Sequence, residues 1–254
     1  MFFYIDIYIV FHSNLNSRAM TVINEIKEKF GSVSKKYDSQ RQHLIPCFND
    51  FYKSGLPLIK SVTNAKTILD LGGGTGLFSQ LVYQQNPHLQ FVLADISAPM
   101  LSVAKERFEG LKNFDFIELD FSREDIPGKY DIIISGLAIH HLEDADKQKL
   151  YTNIYNALNE GGLFINADQV TGRTMLFDSL YKYQWRETVS DSGLDHEALI
   201  QAFERTKLDR LAPLEIQLKM LEKAGFTEVD CIYKNMSFAV FGGFKDANIE
   251  TAVI

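Results

Sequence analysis

Hydrophobic positions along this chain follow two rhythms. Short apolar runs at Thr67–Leu71, Gln90–Ala94, Asp115–Leu119, Tyr130–Ser135 and Leu163–Ala167 read as strands. Between them, apolar residues recur at helical spacing over about Leu77–Gln85, Pro99–Glu109 and Asp146–Asn159. Strands alternating with helices imply parallel strands joined by right-handed crossovers, a doubly wound α/β sheet. Upstream, Asn24–Phe30, Val33–His43 and about Pro46–Val62 read as helices. After Asp168 the rhythm breaks. Arg173–Arg210 is largely helical around Trp185, and Pro213–Ala224 forms a further helix closed by Gly225 as its C-cap. Two last strands, Glu228–Tyr233 and Met236–Phe241, are separated only by Lys234 and Asn235, a link so short that it permits only an antiparallel hairpin.

These elements predict one domain over residues 20–254, with a helical lid at 20–62 and a helical insertion at 168–212. Residues 1–19 are set apart as an extension. Their aromatic and β-branched run is too short to span a bilayer and lacks the basic start of a secretory signal. Composition changes the picture only by exclusion. A net charge of −7 argues against a nucleic-acid partner. The two cysteines, Cys47 and Cys231, have neither disulfide nor zinc-ligand spacing, which fits a reducing, cytoplasmic setting with no membrane partner. No cluster of metal-ligating residues is visible, so no metal is expected. A monomer and a homodimer both remain open.

The chemistry starts at Ile68–Ser79, ILDLGGGTGLFS, where a strand runs into Gly72, Gly73, Gly74 and Gly76 and then into a helix. Glycine tolerates positive φ and lets the backbone approach another molecule closely. The following helix turns its unpaired N–H groups back toward the loop, where they suit an anionic group. A dinucleotide fingerprint would need a third glycine at 77 or 79, and those positions hold Leu77 and Ser79. No Gly-Lys-Ser/Thr follows for a phosphate loop. Two carboxylates end the next strands. Asp95, 21 residues beyond Gly74, suits a pair of ribose hydroxyls, and Asp120 an exocyclic adenine amine. Ile96, Phe121 and Met100 offer apolar faces for the ring. The structural alternative for either carboxylate is to cap the next helix.

In order along the chain, LDLGGGTG, LADIS, LDF, YDIIISGLAIHHLED, GGLFINAD and LEKAGF before the hairpin resemble the class I S-adenosylmethionine-dependent methyltransferases, over nearly all of Met20 to Lys245. The resemblance implies a Rossmann-like seven-stranded doubly wound sheet with an antiparallel last strand. It also implies an N-terminal helical lid and a helical insertion between strands five and six. The cofactor implied is S-adenosylmethionine, contacted by Asp70, Gly72, Gly73, Gly74, Gly76, Asp95, Ile96, Met100, Asp120, Phe121, Gly136 and Leu137. Its sulfonium makes the methyl group electrophilic, so the protein's tasks are alignment of a small-molecule acceptor, its desolvation and, for O–H or N–H acceptors, proton removal.

His140 and His141 follow the fourth strand, at the edge where open α/β sheets bind ligands. Either can serve as general base, or both can pack beneath the methionine end of the cofactor. Tyr37, on the lid, can touch the sulfonium by its ring or hydroxyl, or lie on a solvated face. Arg41 on the lid and Trp185, Arg186 and Arg205 in the insertion are the substrate candidates. Core packing for the tryptophan and surface pairing for the arginines are the bland alternatives. The insertion and the Ile45-to-Pro57 region also resemble the carboxy-S-adenosylmethionine synthases, which rebuild the cofactor's methyl group using prephenate. ERTKLDRL places Arg205 where those enzymes hold the new carboxylate. Two other synthase residues are absent, a tyrosine whose place holds Ile59 and an asparagine whose place is near Gly136. Ordinary methyl transfer therefore ranks first, ahead of cofactor carboxylation, a non-catalytic cofactor-binding module and a nicotinamide oxidoreductase.

Overall fold

The computed structural model describes residues 37–246. The helix expected at Asn24–Phe30, the 1–19 extension and the side chain of Tyr37 lie outside the described residues. Seven strands form one sheet in the order β3-β2-β1-β4-β5-β7-β6. They are β1 (Thr67–Leu71), β2 (Gln90–Asp95), β3 (Phe114–Glu118), β4 (Tyr130–Gly136), β5 (Leu158–Gln169), β6 (Thr227–Asn235) and β7 (Phe238–Phe244). The first five are parallel, while β7 slots antiparallel between β5 and β6. This is the Rossmann-like sheet with an antiparallel last strand that the sequence implies.

The helices are α1 (Tyr37–Leu44), α2 (Phe48–Lys53), α3 (Leu56–Ser61), α4 (Leu77–Tyr83), α5 (Ala98–Arg107), α6 (Asp144–Ala157), α7 (Met175–Ser190), α8 (His196–Arg205) and α9 (Leu214–Ala224). Among the described residues no helix is long and apolar enough to cross a membrane.

The central strands are apolar on both faces because both faces are covered. Ile68, Ile132, Ile134, Leu163, Ile165 and Val240 join one buried cluster with Phe51, Tyr52, Phe78 and Leu101. Their neighbours Leu69, Ile133, Phe164, Ala239 and Phe241 join the other with Leu150, Tyr151, Ile154 and Leu221. The switch of face at each residue is the period-2 alternation of a strand.

Several boundaries depart from the sequence reading, β5 for instance beginning at Leu158 and not at Leu163, and two of the departures have a visible cause. The single helix expected over about Pro46–Val62 is broken into α2 and α3 at Ser54–Gly55. A Cβ on Gly55 would sit 3.2 Å from Ile165, so the chain presses on the sheet there. Pro57 then occupies the first turn of α3, where its missing N–H costs nothing. The hairpin turns at Met236–Ser237 and not at Lys234–Asn235, since β6 stays paired through Asn235↔Phe238. Met236 supplies the positive φ, 51°, that a tight two-residue turn needs.

Candidate active site

The glycine loop between β1 and α4 is built from left-handed residues, with φ of 71° at Gly72, 54° at Gly74 and 80° at Gly76. Gly72 and Gly73 donate their N–H groups to the Ala94 carbonyl at 2.8 and 3.1 Å, tying the loop to the end of β2. Gly76 is the N-cap of α4 and offers no side-chain cap of its own. The Asp95 carboxylate accepts from Gly74 N–H and Ser97 N–H, both at 2.8 Å. A carboxylate has about four acceptor positions, so two remain for a diol. A Cβ on Gly74 would lie 3.5 Å from Met100 Cε and 3.9 Å from Asp95 Oδ2, so a side chain there would fill the space between them. Cradle and donor set fit an adenosyl group. Asp95→Ala is expected to weaken S-adenosylhomocysteine binding about 100-fold, the loss of two charge-assisted hydrogen bonds at ~1.5 kcal/mol each. Calorimetric titration checks this, with Asp95→Asn falling between.

Asp70 lies beneath the loop at 1% exposure. Its Oδ2 accepts from Ser79 Oγ at 2.7 Å and Ser79 N–H at 3.2 Å, while Oδ1 has no hydrogen-bond partner among the described residues. Burial, reinforced by the Asp95 charge, pushes its pKa up to about 6 against the Ser79 bonds. Because the folded value lies above the unfolded 3.8, its favourable contribution is full below that pH and is lost as pH rises through about 6. Asp70→Asn is therefore expected to stabilise the protein at pH 7 by about 1–2 kcal/mol, after allowing for the amide's own unpaired N–H. Urea unfolding from pH 4 to 8 would show it as a gain over the unmodified protein that grows from pH 4 to about 6 and then levels; equal slopes in both proteins would rule it out. A carboxylate that costs stability where it stands points to a use in binding.

Asp120 serves its own turn. It accepts from Ser122 N–H at 3.1 Å and from Ser122 Oγ, and Arg123 Nε stands 3.5 Å from Oδ2. No helix follows here, so the helix-capping alternative is not realised and the carboxylate instead holds the turn after β3. The Phe121 ring lies 3.4 Å from the position of a Cβ on Gly72, so it faces the loop. Ile96 is half-buried beside Asp95.

The lid helix α1 is anchored from four directions. Thr75 Oγ1 donates to Asp38 at 2.6 Å, and Arg107 pairs with the same carboxylate. Arg41 donates to the Tyr52 hydroxyl. The Trp185 indole N–H donates to Leu44 O at 2.9 Å, and His43 Nδ1 meets Ser192 O at 2.7 Å. Helix α1 therefore joins the glycine loop to the helical segment that follows β5.

His140 and His141 occupy a 3-10 turn after β4, reached through Leu137, a non-glycine residue at φ 54°. Such a conformation costs about 1–2 kcal/mol and is tolerated where the surroundings fix it. Asp168, fully buried on β5, takes His140 Nδ1 at 2.5 Å. Asp209 approaches His140 Nε2 at 3.5 Å and His141 Nδ1 at 3.4 Å. Its placement is a backbone matter. Arg210 N–H donates to His140 O at 2.7 Å, and the Arg210 carbonyl accepts from the wholly buried Lys147 ammonium.

Burial opposes charge on His140, but the Asp168 and Asp209 carboxylates outweigh it and push the pKa up to about 10. Burial and the His140 cation hold His141 below its ordinary value. Asp209 is held well below the usual carboxylate range, His140 overcoming the effect of burial. At neutral pH His140 is thus a cation and His141 a neutral imidazole.

A cavity of about 90 Å³ opens onto this corner, lined by both histidines, Asp209, Arg41, Arg205, Trp185, Leu137 and Gln169 among others. The structure thus unites the two histidines with three of the four substrate candidates. Arg186 is the exception: it is exposed and lies over the Phe203 ring at 5.8 Å, outside the lining. Trp185 combines both of its readings, edge-on to Phe203 at 5.7 Å and lining the cavity. Gly136 ends β4 against Phe78 and Tyr52, which a Cβ there would meet at 3.3 and 3.5 Å. Asp38, Lys147, Asp168 and Asp209 were not singled out as site residues by the sequence. Asp168 stood in sight at the end of the GGLFINAD strand, while Asp209 has no local signal.

Comparison with known proteins agrees with this geometry. Residues 69–164 match the family model described as a methyltransferase domain. The carboxy-S-adenosyl-L-methionine synthase of Nautilia profundicola is 24% identical over 231 residues, covering 87% of this chain and 94% of that protein. Malonyl-(acyl-carrier protein) O-methyltransferase 1 of Ilyobacter polytropus is 28% identical over 148 residues, 56% of this chain and 52% of that one. Human N-acetylserotonin methyltransferase, solved with S-adenosylmethionine, superposes with a TM-score of 0.54 at 20% identity, over 76% of this chain. This chain spans 51% of that structure's length. Sheet order, glycine cradle and matched segment agree on a Rossmann-like methyltransferase fold. Within it, residues 69–164 carry the match to a methyltransferase domain.

Proposed function

We propose that this protein transfers the methyl group of S-adenosylmethionine to a small acceptor that carries an anionic group. The cavity carries this reading. It places Arg41 and Arg205 on the same wall system as His140 and His141, beyond Leu137 at the carboxyl end of β4. Cofactor contacts are assigned to Asp70, the glycine loop, Asp95, Met100, Asp120 and Phe121. The bound cofactor supplies the electrophilic methyl group. The chain's residues orient the acceptor, neutralise its charge and exclude water around the in-line displacement. Arginine suits this role because its planar fork holds a carboxylate or phosphate in two parallel bonds. Within the histidine pair, His141 is the one that is neutral at pH 7 and so competent to assist loss of the acceptor's proton.

The test is transfer of labelled methyl from cofactor to a metabolite extract, fractionated by charge. Label is expected in an anionic small molecule, and Arg205→Ala is expected to raise its KM by 10-fold or more. Label found only in neutral or cationic products would overturn the anionic assignment.

Cofactor carboxylation is the second reading, favoured by the synthase relative that aligns with 87% of the chain and by Arg205 in the cavity. Against it, Ile59 is 1% exposed within the core, and Phe78 and Tyr52 crowd the place of a side chain on Gly136. Incubation with prephenate and mass spectrometry of the nucleoside decides between the two, since only the second yields a carboxylated cofactor.

A further inference from the structure

We propose that His140, His141 and Asp209 bind a divalent transition-metal ion at the acceptor end of the site. The side-chain ligand atoms of these three residues lie within 4.8 Å of one another. The contacts to Asp209 Oδ1, 3.5 Å from His140 Nε2 and 3.4 Å from His141 Nδ1, are too long for the 2.7–3.2 Å of good N–H···O hydrogen bonds. They match the edge of a coordination tetrahedron: ligands about 2.1 Å from one ion stand about 3.4 Å apart. Two edges of the triangle thus have the spacing of ligands around a shared centre, and the third, between the two imidazoles, is within 4.8 Å.

The surroundings are those of a metal site. Asp168 accepts a hydrogen bond from His140 Nδ1–H at 2.5 Å. In the neutral ring this leaves the Nε2 lone pair facing Asp209, the carboxylate–histidine arrangement that orients metal-bound imidazoles. The two carboxylates are nearly sealed from solvent, with side-chain exposures of 0% and 9%. Two buried negative charges need a compensating cation. Without metal, the proton on His140 supplies one; an ion between the three ligands replaces it and displaces that proton. Three protein ligands leave at least one coordination position for an oxygen of the acceptor, on the cavity side. Two imidazoles and one carboxylate suit zinc, iron, nickel or cobalt and disfavour magnesium and calcium.

The inference deepens the methyl-transfer reading, because an ion here would acidify a bound hydroxyl, with His141 as ligand in place of proton acceptor. Its test requires no turnover, so its failure and the failure of that reading are separable. Full-length protein treated with a chelator and dialysed is titrated with ZnCl2 by calorimetry and with CoCl2 by visible absorption. One ion per chain is expected, giving the intense d–d bands of low-coordinate cobalt, with no displacement by a 10-fold excess of MgCl2. Asp209→Asn and His141→Ala are each expected to weaken binding at least 10-fold while S-adenosylhomocysteine affinity stays within 2-fold, which verifies folding. Asp168→Asn should weaken it 10-fold or more without touching the ion, and His196→Ala, on α8, should leave it unchanged. Absence of stoichiometric binding by the unmodified chain overturns the proposal, as does binding indifferent to Asp209→Asn.

Discussion

Gly72→Ala is expected to cost about 2–5 kcal/mol of stability, with cofactor binding falling about 100-fold. Two separate terms contribute. At φ 71° any Cβ meets the left-handed penalty of about 1–2 kcal/mol. The added methyl would also lie 2.3 Å from Ala138 Cβ, which is fixed to the backbone and has no rotamer by which to retreat. Overpacking of this kind costs about 1–3 kcal/mol. Relief must come from the loop, whose Gly72 and Gly73 N–H groups are bonded to Ala94 O and whose Gly74 N–H is bonded to Asp95. Moving them loosens the loop from β2 and shifts the Asp95 carboxylate that Gly74 holds. The terms separate in a double-mutant cycle, because Ala138→Gly removes the steric part alone. Gly72→Ala combined with Ala138→Gly should recover about 1–3 kcal/mol over Gly72→Ala. A double mutant no more stable than the single one would show that the Ala138 contact is irrelevant.

The parts of the fold legible in the sequence are those that local pattern controls. β1 is observed at Thr67–Leu71 as the apolar run indicates, because a buried parallel strand needs continuous hydrophobicity. Gly225 ends α9 at φ 110°, as a C-cap glycine does. The break at Ser54–Gly55 was not legible, since it depends on Ile165 and Val240 pressing on Gly55 from across the sheet. The hairpin shift was not legible either, because it turns on how far β6 stays paired with β7.

The site divides in the same way. Gly72–Gly76 and Asp95 belong to a strand–loop–helix unit whose spacing is set by one crossover. Asp209 reaches His140 only because Arg210's backbone is held by His140 O and by Lys147. Neither contact leaves a periodic trace. The expectation that no metal ligands cluster rested on sequence spacing, and the fold brings three donors together from segments 68 residues apart. Arg186 failed for the opposite reason. It neighbours Trp185 in sequence, but adjacent residues on a helix point about 100° apart, and only Trp185 faces the cavity.

Asp168→Ala is expected to cost about 3–5 kcal/mol, the penalty for stripping the partner from a buried charge. Asp168 is inaccessible and accepts from three groups: His140 Nδ1 at 2.5 Å, Gln169 N–H at 2.9 Å and Asn166 Nδ2 at 3.3 Å. Alanine leaves all three donors without that acceptor and leaves the His140 ring held from one side only, by Asp209 at 3.5 Å. Asparagine should be milder, about 1–2 kcal/mol, because its carbonyl still accepts from His140 and Gln169 while the charge is gone. The exposed pair Lys207–Glu204 sets the scale: its members are 68% and 51% exposed. Lys207→Ala is therefore expected to change stability by no more than about 0.5 kcal/mol. Urea unfolding of the three variants at pH 7 tests the order Asp168→Ala, Asp168→Asn, Lys207→Ala. If alanine and asparagine at 168 cost the same, the hydrogen bonds that asparagine can keep to His140 and Gln169 contribute nothing. The negative charge, which both variants lack, would then account for the whole effect of Asp168 on this corner.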